Sequence, residues 1–136
     1  MDAKTLRHKD VWSDEMNGFP IEICRWFDRG GNEKWNYYIY FMEQNTSPEQ
    51  WQELKNATLT TYGVDYSILW ISNLNWHRGI TSGEAFYDKD KHIRCIKAGC
   101  DYSHAWDDGN EYTLEYVLCD CENTVLSIIG KGEANG

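Results

Sequence analysis

The sequence lacks any apolar run approaching the roughly 18 residues that a transmembrane helix needs. Its first ten residues, MDAKTLRHKD, are polar and contain no apolar segment of the kind found in secretory signals. Both absences predict a cytoplasmic protein with no membrane partner.

Basic residues are scarce. The chain has 13 Lys and Arg against 22 Asp and Glu, a formal net charge of -9. A general nucleic-acid binder is disfavoured, because phosphate contacts need a basic surface. The acidity is also uneven: residues 1–100 hold 14 acids and 12 bases, whereas residues 101–136 hold 8 acids and only Lys131.

The sequence contains no Walker loop, dinucleotide fingerprint, G-x-S-x-G or H-E-x-x-H motif. Its five cysteines form an odd set without an export signal, which favours a reducing compartment. Cys119 and Cys121 have no second Cys or His pair at zinc-finger spacing. We therefore interpret the thiols as buried small apolar groups. A Cys100–His104 nucleophile pair has no feature nearby that would lower the thiol pKa.

What the chain does have is length and aromatic content sufficient for one folded domain. It contains 136 residues, of which 15% are aromatic, too many for a disordered chain. We found no internal repeat. The composition predicts a polar N-terminal arm over 1–17, a single domain over 18–130 and a disordered tail over 131–136.

Strand-like patterns dominate the domain. Residues 21–28 and 34–42 flank a Gly-rich turn and predict a β-hairpin. Further strands are predicted at 66–72, 84–88 and 93–100. In the 34–42 strand both faces are rich in apolar and aromatic residues, which suits a strand covered on both sides or lying beside a ligand. One face carries Trp35, Tyr37, Ile39 and Phe41, and the other carries Asn36, Tyr38, Tyr40 and Met42.

Two helices complete the predicted fold. Ser47 and Pro48 have the pattern of an N-cap followed by the first helical residue, so a short helix is expected over 47–56. Residues 111–129 repeat apolar side chains at helical spacing, with Gly130 as the residue after the helix. The predicted class is α+β, an antiparallel sheet with a short helix and a long C-terminal amphipathic helix packed on it. A neighbouring stripe of this helix is acidic and consists of Glu111, Glu115 and Glu122.

Reactive side chains concentrate in two segments, 76–81 and 99–109, each after a strand-like run. Asp101, His104 and Asp107 are spaced by three residues, so one helical turn would point them to one side, and His77 could complete the cluster. Such a set can transfer protons, with His77, Asp101 and His104 as catalytic candidates. It can instead bind a divalent metal through Asp101, His104 and Asp107, or hydrogen-bond a polar ligand. The same residues can also simply cap helices and satisfy loop backbone groups.

The aromatic residues beside these segments extend the hypothesis. Trp76 and Trp106 could wall a planar ligand such as a nucleobase, although tryptophans also fill the cores of small domains. The ligand-binding candidates are Trp76, Arg78, Thr81, Trp106 and Asp107.

Three stretches of the sequence resemble motifs of a known protein family. Residues 36–40 read N-Y-Y-I-Y, residues 76–81 read W-H-R-G-I-T, and residues 99–109 read G-C-D-Y-S-H-A-W-D-D-G. Together they resemble a family of small uncharacterised proteins of tailed phages and prophages, which share N-Y-Y-[IV]-Y, W-H-G-G-I-T and G-C-D-Y-S-H-x-W-D-x-G followed by a C-terminal amphipathic helix. The resemblance implies a phage context in an infected host cell and a shared site, but no particular reaction. Arg78 departs from it, because the family has glycine there.

Three hypotheses for the function follow. The first is a phage accessory protein that binds a small polar, nucleotide-like ligand in the His/Asp/Trp pocket, for sequestration or hydrolysis of a host defence signal. The second is an acidic inhibitor that mimics nucleic acid and binds a host enzyme through the helix stripe. The third is a structural role in the virion. The sequence does not decide whether the protein is an enzyme.

Overall fold

The computed structural model describes residues 9–56, 59–60, 63–64, 69–102 and 112–134. For residues 59–60, 63–64 and 131–134 it describes the backbone alone. The predicted α+β class is confirmed. The strands are β1 (Asp10–Met16), β2 (Phe19–Phe27), β3 (Glu33–Phe41), β4 (Leu59–Thr60), β5 (Gly63–Val64), β6 (Ser82–Tyr87) and β7 (Ile93–Asp101). The helices are α1 (Pro48–Lys55) and α2 (Leu114–Ala134), with 3₁₀ turns at Glu43–Asn45 and Trp70–Asn73.

Five strands form one antiparallel sheet in the order β1-β2-β3-β7-β6, and β4 pairs separately with β5. The predicted hairpin is present as β2 and β3, with Ile23 opposite Tyr37. Its turn is held by the Asp28 carboxylate, which accepts the backbone N–H groups of Gly30 and Asn32. β7 pairs with β3 after a long connection, so the sheet brings the 99–101 stretch beside the centre of β3.

One face of the sheet forms the core. β3 alternates as predicted, with Trp35, Tyr37, Ile39 and Phe41 all buried. α2 lies over β2 and β3 and buries its apolar side against them. The buried helix residues are Val117, Cys121, Thr124, Val125 and Ile128. The core is therefore a two-layer sandwich of sheet and helix, in which Thr124 is a buried polar residue.

Helix α1 begins as the sequence predicted. The Ser47 hydroxyl accepts the N–H of Gln50 at 3.1 Å, and the Gln50 side chain accepts the N–H of Ser47 at 3.0 Å. This reciprocal capping box satisfies two backbone donors that a helix start leaves unpaired. Trp51 and Leu54 then bury one side of the helix.

Three expectations differ from the structure. Residues 10–16 of the predicted arm form the edge strand β1, which is fixed by stacking of Trp12 on Trp35 at 5.8 Å. Residues 70–72 form a 3₁₀ turn instead of a strand, and residues 66–68 lie outside the described residues. Gly130 does not end α2, which continues to Ala134.

All five cysteines are free thiols. Cys24, Cys100 and Cys121 are buried, as the sequence interpretation expected, whereas Cys95 is half-buried and Cys119 is exposed.

Candidate functional site

The turn that carries His77 is anchored by its neighbour. Trp76 is buried, stacks on Tyr37 with ring centroids 5.9 Å apart, and donates its indole N–H to the carbonyl of Ile71 at 2.7 Å. Arg78 and Gly79 follow with positive φ of 58° and 99°. Two left-handed residues in succession reverse the chain directly after His77, and glycine adopts this conformation most readily. Arg78 therefore occupies a backbone conformation that favours glycine.

His77 faces α2. Its ring stacks on Tyr102 at 3.8 Å with an interplanar angle of 16°. Its Nδ1 lies 3.2 Å from Oδ2 of Asp120, and the Tyr102 hydroxyl donates to the same oxygen at 2.6 Å. The His77 side chain is 8% exposed and that of Asp120 is 23% exposed. A half-buried carboxylate is thus in contact with an imidazole and a phenol at once, which favours a proton on Nδ1 of the imidazole.

A chain of hydrogen bonds lies below the cluster of His77, Tyr102 and Asp120. The Tyr37 hydroxyl accepts the N–H of His77 at 2.9 Å and lies 2.8 Å from the Thr124 hydroxyl. Thr124 contacts the carbonyls of Asn75 at 2.7 Å and Asp120 at 3.1 Å. Because the single Thr124 hydrogen is used on a carbonyl, Tyr37 is the donor in its contact with Thr124. The turn, the sheet and α2 are therefore connected through two buried hydroxyl groups.

Burial sets the protonation of the neighbouring groups. It raises the pKa of Tyr102, and the hydrogen bond to the Asp120 carboxylate raises it further. Burial also raises the pKa of Cys100 to about 12. Cys100 is consequently a neutral thiol at physiological pH, which speaks against a thiolate nucleophile at this position.

A cleft of about 430 Å³ opens above the cluster, between the 75–77 turn and α2. We call it the α2 cleft, and it is bordered by Asn75, His77, Asp120, Asn123, Leu126 and Ser127. Its size lies within the range of about 300–1,000 Å³ that small-molecule sites occupy. Its lining is mainly polar: the Ser127 hydroxyl accepts the N–H of Asn75 at 3.1 Å and donates to the Thr124 carbonyl at 2.6 Å.

The structure distributes the predicted site residues over two faces of the sheet. His77 borders the α2 cleft, while Trp76 is buried beneath it with its ring against Tyr37. Thr81 donates its N–H to the Gly99 carbonyl at 2.9 Å, next to the start of β6. Asp101 pairs with Asn36 at the end of β7, and strand alternation puts its side chain on the opposite face from Cys100 and Tyr102.

His104, Trp106 and Asp107 lie outside the described residues, so their predicted catalytic, ligand-binding and metal-binding roles stay predictions. The same holds for the metal set Asp101, His104 and Asp107. Among the described residues, Asp88, Asp90 and His92 place one potential metal ligand each within 4.8 Å of one another. The Asp88 carboxylate already accepts the N–H groups of Asp90 and His92, which explains this grouping as a turn.

Tyr102, Asp120 and Thr124 were not predicted as site residues. A signal was present for two of them, because Asp120 and Thr124 are polar, four residues apart, and border the apolar arc of α2. Polar side chains at that margin can hydrogen-bond groups at the edge of the core, as the partly exposed Asp120 and the buried Thr124 do. Tyr102 carried no comparable signal, since its role depends on how β7 and α2 meet.

Comparison of the chain with protein-family models, with curated proteins and with solved structures gave no match. Across the described ranges, no helix combines the length and the apolar character required to span a membrane.

Proposed function

We propose that this protein binds a small polar ligand in the α2 cleft, with the His77–Asp120 pair as the recognising group. The observation that carries the proposal is the convergence of an imidazole and a phenol hydroxyl on one carboxylate at the base of a cleft. Titratable groups held together in a cleft are characteristic of functional sites.

The arrangement suits hydrogen bonding and proton transfer. A proton on Nδ1 leaves Nε2 of the imidazole as an acceptor for a ligand, and an imidazole oriented by a carboxylate is a common proton-transfer group. Asn75, Asn123 and Ser127 add amide and hydroxyl groups around the same opening. We expect a ligand rich in hydroxyl, amide or phosphate groups.

The resemblance to tailed-phage proteins supplies a context for this proposal. A phage accessory protein with such a site would sequester a small signalling molecule of the host defence, or hydrolyse it, in the cytoplasm of the infected cell. Stoichiometric capture requires only the cleft, whereas hydrolysis requires in addition that the His77–Asp120 pair transfers a proton during turnover.

The test is a thermal-shift screen of the whole chain against nucleotides, cyclic nucleotides and divalent cations. A ligand present at 100 times its Kd should stabilise the fold by about 2.7 kcal/mol. Asp120→Asn keeps the shape of the side chain and should abolish this shift, while Lys89→Ala in the exposed β6–β7 turn should not. A ligand that shifts Asp120→Asn as strongly as the natural chain would refute the proposal. Product analysis of the bound ligand then separates sequestration from hydrolysis.

A second candidate function is binding to a basic host protein through the outer face of α2. Glu115 and Glu122 are exposed there beside the large side chains of Tyr116 and Leu126, which are 51% and 49% exposed. Glu111, the third residue of the predicted stripe, lies outside the described residues. Charge reversal of Glu115 and Glu122 to Lys should abolish the biological effect if this surface is responsible, and should leave ligand binding in the α2 cleft intact.

A further inference from the structure

The face of the sheet opposite α2 has an aromatic and polar surface. Adjacent strands pair Cys24 with Asn36, and Glu22 with Tyr38 and Gly99. These side chains therefore lie on the side of β2, β3 and β7 that does not form the core. A second apolar face on β3 is the pattern expected of a strand that is covered on both sides or lies beside a ligand.

A cavity of about 470 Å³ occupies one end of this face. We call it the open-face trough, and its defining residues are Lys9, Cys24, Trp26, Arg29, Asn36 and Tyr38. The small side chains of Cys24 and Asn36 form a paired rung. Trp26 and Tyr38 occupy the next paired positions on the same face, one on each side of the Cys24–Asn36 pair. Their large rings therefore border a base formed by two small side chains.

Both rings are held in place. The Trp26 indole donates its N–H to Oδ1 of Asn36 at 2.6 Å. The Tyr38 ring lies over Gly99, where a Cβ atom would come within 2.4 Å of its Cδ1. The Lys97 ammonium group lies 4.4 Å from the centroid of the Tyr38 ring and 3.3 Å from the Glu22 carboxylate. These contacts fix the positions of both rings at the border of the trough.

The trough also has a local excess of positive charge in an acidic protein. Lys9 and Arg29 border it, and neither forms an ion pair within the part of the chain that the structure describes. The acidic residue at its edge, Asp28, has its carboxylate occupied by the N–H groups of Gly30 and Asn32. A hydrogen-bonded carboxylate keeps its charge, so the lining of the trough combines two cations with one carboxylate, and Asp101 lies beside Asn36 on the same face.

Asn36 adds a specific polar group. Its Oδ1 accepts from Trp26, and its amide nitrogen carries two further N–H donors. A nucleobase offers ring nitrogen and carbonyl acceptors for these donors and a planar face for the aromatic side chains. A phosphate group suits an arginine and a lysine.

We propose that the open-face trough binds a mononucleotide, with the base between Trp26 and Tyr38 and the phosphate at Lys9 and Arg29. A single nucleotide fits the volume of the trough and meets the two cations, whereas the net charge of -9 repels a long nucleic-acid strand. This site is separate from the α2 cleft, because the two lie on opposite faces of the sheet.

Titration calorimetry of the whole chain with adenosine 5′-monophosphate tests the proposal. We expect saturable binding with a Kd of about 1 mM or tighter. Adenosine and ribose 5-phosphate, each lacking one half of the ligand, should bind at least about tenfold more weakly, since base stacking and charge-assisted phosphate contacts are each worth a factor of this size.

Variants locate the binding site. Arg29→Ala and Trp26→Leu should each weaken binding about tenfold or more. The matched controls are Lys89→Ala, which removes an exposed cation elsewhere, and Phe86→Leu, which removes an exposed ring on β6; both should bind as the natural chain does. If Trp26→Leu does not fold, Arg29→Ala and its control decide the question alone.

Three results would overturn the proposal. The first is the absence of binding by adenosine 5′-monophosphate. The second is binding that Arg29→Ala leaves unchanged. The third is tight binding of a single-stranded oligonucleotide without binding of the mononucleotide. Asp120→Asn distinguishes this site from the proposed function: it should leave nucleotide affinity in the trough unaltered, and a loss there together with an unaffected Arg29→Ala variant would assign the nucleotide to the α2 cleft.

Discussion

Tyr37 is the residue through which the core supports the His77 turn. Its ring is fully buried, and its hydroxyl bonds both the His77 N–H and the Thr124 hydroxyl. Tyr37→Phe keeps the ring but removes the hydroxyl that accepts the part-buried His77 N–H and bonds the buried Thr124 hydroxyl. We expect a loss of about 1–3 kcal/mol in the free energy of unfolding, which is the usual cost of an unsatisfied buried group. Urea denaturation of the two proteins measures it.

Tyr40→Phe is the matched control on the same strand. The Tyr40 hydroxyl is 3.4 Å from the Glu22 carboxylate on the half-buried opposite face, so its removal should change the stability by no more than about 0.5 kcal/mol. Equal losses in the two variants would show that the buried hydroxyl chain does not stabilise the fold.

At the scale of elements, the contact of β3 with β7 depends on Gly99. A Cβ at this position would lie 2.5 Å from the backbone carbonyl of Tyr37 and 2.4 Å from the Tyr38 ring. The carbonyl belongs to a paired strand and cannot move freely. Gly99→Ala should therefore destabilise the protein by about 1–3 kcal/mol, the typical cost of overpacking. Thermal unfolding by circular dichroism measures the change.

Gly130→Ala provides a control of opposite sign. Gly130 lies inside α2, and a Cβ at this position would meet no neighbouring atom within 4 Å. Alanine is favoured over glycine in a helix interior, so this substitution should stabilise the chain by about 0.5–1 kcal/mol. If Gly130→Ala destabilised the protein, or if Gly99→Ala did not, the packing described around that glycine would be contradicted.

The strands and helices also show which sequence signals are sufficient to predict an element. The β2–β3 hairpin and α1 were predictable because turn glycines and the Ser47 cap act locally. β1 was not, since an exposed edge strand such as DVWSDEM need not alternate and is fixed by Trp12 against Trp35. The run at 70–72 is apolar and short, and such runs do not distinguish a buried strand from a helical turn.

The same limit applies to the site. His77 was predictable as a reactive residue in a Gly-containing turn. Its partners are Tyr102, directly after β7, and Asp120 in α2, which are 25 and 43 positions further along the chain. The pairing of β7 with β3 creates that meeting, and no local pattern specifies it. The sequence therefore predicted a site segment without the Asp120 and Tyr102 side chains that complete it.

At the scale of the whole molecule, the acidity concentrated after residue 100 has more than one structural role. Asp120 lies inward against His77 and Tyr102, whereas Glu115 and Glu122 are exposed on α2. The net charge alone would describe these carboxylates as one acidic surface. Their positions instead divide them between the α2 cleft and the outer face of the helix, so Asp120→Asn and the charge reversal of Glu115 and Glu122 change each group separately.

The core also contains a set of weak acids that must stay protonated. Burial raises the pKa of Cys100 and of Cys121 from 9.0 to about 12, and it raises the pKa of Tyr37 and Tyr102 above their usual 10.0. In each case the folded pKa exceeds the unfolded one, so the stabilising contribution is complete below the unfolded pKa and is lost as the pH rises through the window up to the folded pKa.

We therefore expect the free energy of unfolding to fall steadily from about pH 9 upward, by as much as about 1.4 kcal/mol per pH unit for each thiol ionised only in the unfolded chain. Cys121→Ala removes one such group, and its stability should decline less steeply with pH. Val125→Ala, a buried truncation on the same helix, removes no titratable group and should lower the stability by a constant amount at every pH. Urea titrations between about pH 7 and pH 11 compare the slopes; parallel curves for Cys121→Ala and the natural chain would show that the buried thiol is not the source of the alkaline sensitivity.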